Sequence, residues 1–281
     1  KTTDWYDQVF QNGLRQDYNL GLSGSTSRVK YYWSLGSVSN EGIVVNETFQ
    51  KIRSRLNLSA EVTDYLEVGM NAQVAFDDNG DESVDWDEAI NASPYGEIYD
   101  STTVYKWYPH DDNMAQNPFE DLLMDVMDKH QSLMSTLFAR LQLPFDFKYE
   151  INFTNRAQWS QDYEYDPTTT RSGNNENGYA RRRERRYAEW QVDNILRWNK
   201  TLGNHSRLDL TLLYNAEQYK SFSTTTENSD FAISEALGYN GIQLGNLPVV
   251  SSNDQYETGS ALMARLNYAL FDKYLFTASF R

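Results

Sequence analysis

Leu66-Glu67-Val68-Gly69-Met70-Asn71-Ala72-Gln73-Val74-Ala75-Phe76 is the stretch that decides the fold. Leu66, Val68, Met70, Ala72, Val74 and Phe76 return at every second position, against Glu67, Gly69, Asn71, Gln73 and Ala75. A helix brings its apolar residues back every three or four positions. A period of two is a strand with one apolar and one polar face. The residues just upstream repeat the pattern: Leu56, Leu58, Ala60 and Val62 alternate with Arg55, Asn57, Ser59 and Glu61, and only Thr63-Asp64 separates the two runs. Residues 147–155 and 208–217 alternate in the same way.

Ten strands are expected, near 15–25, 28–40, 50–62, 65–77, 130–143, 147–162, 185–201, 205–220, 257–270 and 273–281. Many exceed the usual globular length of about 5–6 residues. Lengths of about 10 and more suit a tilted strand crossing a bilayer. The connections are more telling. Ser25-Thr26-Ser27, Thr63-Asp64, Pro144-Phe145-Asp146, Leu202-Gly203-Asn204 and Asp272-Lys273 are tight, and between them lie long segments at 41–49, 78–129, 163–184 and 221–256. Strict alternation of short and long is the signature of a barrel with short turns at one rim and long loops at the other. A sandwich would mix loop lengths.

Composition alone suggests otherwise. The 281 residues carry 25 Lys and Arg against 40 Asp and Glu, a formal net charge of −15, and no cysteine. The mean hydropathy is −0.70. This balance argues against nucleic-acid binding, because nothing offsets phosphate repulsion. The missing cysteines exclude a disulfide scaffold, a thiolate zinc site and a cysteine nucleophile. No run approaches the roughly 18 apolar residues of a transmembrane helix. A barrel strand needs no such run, since only half its residues face lipid and the rest face a polar lumen. The 20 tyrosines, 13 phenylalanines and 7 tryptophans fit membrane-interface girdles. Tyr31, Trp33, Trp190, Trp198, Tyr268, Tyr274, Phe276 and Phe280 fall on the faces assigned outward.

Several short motifs, in order along the chain, resemble SusC/RagA-type TonB-dependent transporters: Asp4-Trp5-Tyr6-Asp7-Gln8-Val9-Phe10, Tyr18-Asn19-Leu20-Gly21-Leu22-Ser23-Gly24, Asn40-Glu41-Gly42-Ile43-Val44, Val62-Thr63-Asp64-Tyr65-Leu66 and Phe271-Asp272-Lys273-Tyr274-Leu275-Phe276. The resemblance implies an all-β transmembrane antiparallel barrel of the outer membrane of Bacteroidota, 22-stranded with a plugged lumen. The present ten strands, residues 1–281, would be roughly strands two to eleven, with the plug, the TonB-binding segment and the C-terminal half of the barrel outside the chain. Tight turns would then be periplasmic and long loops extracellular. A closed ten-stranded barrel satisfies the same pattern. Its narrow lumen would have to hold Arg55, Glu61, Glu67, Arg140, Glu150, Arg156, Glu189, Asp193, Asp209, Glu217 and Arg265.

Candidate sites lie in the long loops. Trp86, Tyr95, Tyr99, Tyr105, Trp107 and Tyr108 could grip substrate or partner, or pack the loop. Phe119, Leu122, Leu123 and Val126 read as packing, in a short helix or the top of the next strand. Asp77, Asp78, Asn79 and Asp81, with Glu82, are a weak calcium candidate; the order does not match an EF-hand loop. Arg181, Arg182 and Arg183 open the single basic run, at the outer end of a strand; lipopolysaccharide phosphates lie at that level, and contact with a partner or lumenal pairing with acids fits equally well. His110, beside Asp111 and Asp112, has no second histidine at ligand spacing, and no catalytic motif or cofactor site appears.

The expected function is therefore not enzymatic: TonB-energised import of oligosaccharides or peptides across the outer membrane, with a SusD-like surface lipoprotein as partner and outer-membrane lipid and lipopolysaccharide around the wall. The alternatives are a passive or adhesive outer-membrane barrel, and a soluble β-rich carbohydrate-binding module or glycosidase. The sequence does not name the substrate. The alternatives separate on fractionation. The native protein should sediment with membranes and leave them only in detergent, whereas release into the aqueous phase by salt or alkaline wash would sink the barrel reading.

Overall fold

The computed structural model describes residues 2–102, 104–110, 114–203, 205–231, 235–271 and 273–281. A short helix, α1 (Trp5–Val9), leads into β1 (Leu14–Ser25), β2 (Val29–Glu41), β3 (Thr48–Thr63) and β4 (Leu66–Asp78). A second helix, α2 (Trp86–Asn91), and a 3-10 turn (Glu120–Leu123) occupy the long connection to β5 (Asp125–Gln142) and β6 (Phe147–Asp166). Then come α3 (Arg171–Glu176), β7 (Tyr179–Leu202), β8 (Ser206–Ser229), a 3-10 segment (Glu235–Leu244), β9 (Val249–Leu270) and β10 (Tyr274–Phe280). All ten strands form one sheet in sequence order, each antiparallel to the next. The expected closed ten-stranded alternative is not what forms: among the described residues β1 pairs only with β2 and β10 only with β9.

Paired residues of an antiparallel ladder share a face, so the register sorts the whole sheet. One row runs Leu35, Ser54, Val74, Leu133, Ala157, Ala188. Another runs Leu58, Met70, Leu137, Phe153, Val192, Ala216. Most apolar residues of these strands therefore meet on one surface. Every residue named above as lumenal, from Arg55 to Arg265, falls on the opposite surface.

No second layer covers the apolar surface. Leu20 is 61% exposed, Leu137 48%, Leu262 63% and Phe280 74%. In water this would be an apolar patch far beyond what a soluble monomer shows. In a bilayer it is the lipid-facing, outward surface. Several polar atoms on that surface pair with a neighbouring strand or turn. Trp33 donates its indole N–H to Ser54 Oγ at 3.0 Å, Trp190 to Gln218 Oε1 at 2.7 Å, and Trp198 to the Phe145 carbonyl at 2.9 Å. Tyr149 donates to Asn194 Oδ1 at 2.6 Å. Such pairing is what hydrocarbon requires, since no water is there to take an unmet donor. Ring pairs join neighbouring strands near the tight turns, Phe147 with Trp198 at 5.6 Å and Tyr268 with Phe276 at 6.4 Å between centroids.

The opposite surface carries ion pairs. Near the tight-turn rim Arg140 reaches Glu67 at 3.4 Å and Glu150 at 3.7 Å, and Arg197 donates to Glu150 at 2.8 Å. Glycine gives this surface room for its larger side chains. Gly69 lies under the Phe138 ring, and a Cβ there would collide with that ring and with the Leu58 carbonyl.

The strand boundaries agree with expectation at the tight turns and depart from it at the loops. Strand β6 runs to Asp166, β7 begins at Tyr179, β8 runs to Ser229 and β9 begins at Val249, so nearly half of each expected long segment, 163–184 and 221–256, is ladder. Beyond the lipid both faces of a strand are wet, so the two-residue alternation stops while the backbone pairing continues. Asn204 and Asp272, in two of the expected tight turns, lie outside the described residues.

The two surfaces should respond differently to charge. Val192→Arg places a cation on the lipid face and should cost about 2–4 kcal/mol of folding free energy in bilayers. Ser132→Arg, on the polar face, should cost well under half of that. Denaturant titration in lipid vesicles reads both, and equal costs would contradict the assignment of faces.

Candidate functional site

Two features stand at the long-loop end: a packed cap and the upper part of the polar wall. The cap is built from α1, the loop at 42–47 and the connection at 79–124. Asp4 caps α1 by accepting from the Asp7 amide, which sets Trp5 and Val9 on one side of the helix. Both are buried, with Val44, Val84, Ala89, Ala92, Ala115 and Phe119 around them. Backbone bonds hold the layers: Val45 N donates to Val9 O at 2.9 Å and Val84 N to Val45 O at 3.1 Å. Trp5 donates its indole N–H to Ser93 O at 2.8 Å. Asn117, only 2% exposed, organises the far side. Its amide donates to Ile98 O at 2.8 Å and Lys106 O at 2.7 Å, and its Oδ1 accepts from Phe119 N at 3.1 Å. One side chain thus meets three backbone groups, one of which, Ile98 O, also accepts from Lys106 N at 3.1 Å.

The loop aromatics divide by role. Tyr105 stacks between Tyr99 at 4.9 Å and Phe119 at 6.1 Å and belongs to the cap interior. Trp107 donates to Thr169 O at 2.8 Å and so ties this loop to the one between β6 and β7. Tyr108 is half-buried. Trp86 is 46% and Tyr95 69% exposed, and these two face solvent. Phe119 and Leu122 pack as expected, with residues 120–123 a 3-10 turn and β5 beginning directly after it.

The strand geometry divides two of the candidate clusters, for one reason: adjacent strand residues point to opposite faces. Asp77 and Asp78 end β4 on opposite surfaces, and each meets a lysine, Lys51 at 3.1 Å and Lys129 at 3.3 Å. Asn79 donates to Asp128 Oδ2 at 2.6 Å. With Asp77 and Asp78 diverging, these residues and Asp81 do not converge as a calcium cradle. Among the described residues no group of three or more His, Cys, Asp or Glu is placed to hold a metal ion. Asp111 and Asp112, beside His110, lie outside the described residues. The arginine run divides likewise. Arg181 and Arg183 share a face with Asp162 and Glu164, on the lumenal side, while Arg182 lies outward over the Tyr163 ring at 4.2 Å. Of the three arginines expected against lipopolysaccharide, only Arg182 faces that way.

Sequence reading missed the acidic interior of the cap. Asp121 is pushed up to about 6, first by burial and then by Asp85, Glu82, Glu120 and Asp166. Burial, with Glu164 and Asp128 nearby, also raises Glu82. Burial raises Glu120, an effect opposed by the Arg171 amide that it accepts from and by the Arg171 charge. The carboxylates are scattered at 82, 85, 120, 121 and 166 and converge only on folding.

No protein-family model matches the chain. The TonB-dependent receptor P26 of Formosa agariphila is 23% identical over 286 residues, covering 98% of this chain and 28% of that protein. The TonB-dependent receptor SusC of Bacteroides thetaiotaomicron is 22% identical over 311 residues, covering 99% and 30%. The RagAB peptide transporter superposes with a TM-score of 0.81 at 16% identity, covering 99% of this chain and 33% of that one. Throughout its length, the chain is similar to SusC/RagA-type TonB-dependent transporters. It spans less than a third of the length of the curated relatives it matches. Its ten strands are an outer-membrane β-barrel wall, and the matched proteins are receptors and transporters, not enzymes.

The acidic cap interior sets a direction for pH. A carboxyl whose folded pKa is raised opposes folding when charged. For Asp121 the folded cap therefore gains stability as pH falls from about 6 toward the usual 3.8. Backbone hydrogen exchange across residues 79–124, corrected for intrinsic rates, should be slower at pH 5 than at pH 7.5. Asp121→Asn should bring most of that protection to pH 7.5. Faster exchange at the lower pH would contradict the assignment.

Proposed function

We propose that this chain forms part of the wall, the lumenal surface and the outer cap of a TonB-dependent importer of oligosaccharides or peptides. The observation that carries the reading is the two-faced sheet with unpaired edges. Its outward side is apolar over all ten strands, its inward side holds charge, and β1 and β10 end it without closing it. Unpaired strand edges are untenable in hydrocarbon, where each unmet N–H or C=O costs several kcal/mol. Further strands on both edges complete the barrel in this reading, to 22 in all, and a plug fills the lumen. Import is energised through TonB, which acts on a segment outside residues 1–281. The likeness to SusC and RagA along the whole chain supports the assignment.

The partner in this reading is a SusD-like lipoprotein resting on the cap. Trp86 and Tyr95, the exposed aromatics, offer it contact area, while Tyr105 and Trp107 serve the cap itself. Tagged transporter should co-purify with a surface lipoprotein, and Trp86→Ala with Tyr95→Ala should cut recovery severalfold at unchanged transporter abundance. Deleting the gene should abolish growth on one class of oligosaccharide or peptide, and loss of TonB should do the same. Growth unaffected by either deletion on every glycan and peptide source would overturn the importer reading.

A further inference from the structure

The upper lumenal face of β7 to β9 has a chemistry of its own. Arg181, Arg183 and Arg185 stand in line on this face. Arg181 is fully matched, donating to Asp162 at 3.1 Å and to Glu164 at 2.7 Å. Its two neighbours are not. Arg183 and Arg185 each lie 3.9 Å from the same Asp162, well beyond the roughly 2.7–2.9 Å of a charge-assisted hydrogen bond. Arg183 otherwise makes a long bond, 3.4 Å, to Thr225 Oγ1. The Arg185 side chain is 50% exposed.

Apart from Asp162, with Asp128 next to it in the same row, the residues paired with these two arginines are uncharged. Arg183 lies in one row with Thr225 and Ser251, and Arg185 in one row with Ser223 and Asn253. One step toward the membrane, Tyr187 meets Tyr219 edge-on at 5.0 Å. Besides Asp162, these rows present hydroxyls, amides, two aromatic rings and two guanidiniums, and the Tyr187 hydroxyl donates to Glu189. Guanidinium forks match the planar oxygens of a carboxylate or the oxygens of a sulfate.

We propose that Arg183 and Arg185, with the Tyr187–Tyr219 pair, form a binding site for an anionic oligosaccharide, one bearing uronate or sulfate groups. This deepens the importer reading and rests on it. The arginines take the anionic substituents in bidentate fashion, the hydroxyl and amide rows bond the ring hydroxyls, and the tyrosines meet the sugar faces. In a chain of net charge −15, such a patch also makes the lumen selective, since a ligand anion is favoured only where guanidinium exceeds carboxylate.

The test uses the full-length transporter in its own cells. Uptake is followed for fluorescently labelled oligogalacturonate, its methyl-esterified neutral counterpart, a sulfated oligosaccharide, a neutral glucan oligomer and an acidic peptide. The gene deletion is scored first, to identify what the transporter carries. The expected result is gene-dependent uptake of an acidic oligosaccharide. Arg183→Gln with Arg185→Gln should reduce it at least tenfold at equal outer-membrane abundance. Arg183→Lys with Arg185→Lys should restore a substantial part, and the effect of the glutamine variant should shrink in high salt. Gene-dependent uptake confined to neutral sugars or to the peptide would overturn the anionic site while leaving the importer intact, as would acidic uptake indifferent to the glutamine variant. Loss of no uptake on gene deletion would fall on the importer reading itself.

Discussion

Everything in this wall follows from one requirement: a polar group inside hydrocarbon must find its partner within the protein. The backbone meets it through a ladder in which each strand pairs with the next, from β1 to β10. That ladder forces side chains to alternate, and alternation yields one surface for lipid and one for the lumen. The same requirement reaches outward side chains. Trp33, Trp190, Trp198 and Tyr149 each place a polar atom on the lipid face, and each donates it to a neighbouring strand or turn. The amphipathic sheet and its closed polar inventory are two results of one constraint.

This is also why so much of the fold was legible in the sequence. Where a strand has lipid on one side and water on the other, burial writes a period of two directly into the residues, as at 66–76. All eight outward aromatics and all eleven lumenal charges could be assigned from parity alone. Where both sides are wet, the code disappears although the strand does not. Arg181 to Arg186 is charged at every position, and no pattern in it marks β7. The basic run therefore looked like one patch, and pairing to β6 was needed to divide it.

The cap was less legible for another reason. Its contacts join α1 to residues 42–47 and 79–124, segments far apart in the chain and without periodicity. Asn117 meeting three backbone groups, or Trp107 reaching Thr169, depends on loop paths that composition does not specify. The acidic interior around Asp121 is a convergence of the same kind. Asp77 and Asp78, neighbours in sequence, are opposed in the strand, and clustering along the chain does not reveal that.

Strand length varies strongly around the wall. Strands β1 and β2 have 12 and 13 residues, and β7 and β8 have 24 each. About 9–11 residues suffice to cross the hydrocarbon. The shorter pair barely clears the lipid, while the longer pair stands above it by about a dozen residues, roughly 30 Å after tilt. The outer rim is thus a slope rather than a level ring. On the low side, the cap of α1, 42–47 and 79–124 fills the space above β1 and β2, while β7 and β8 stand tall as ladder.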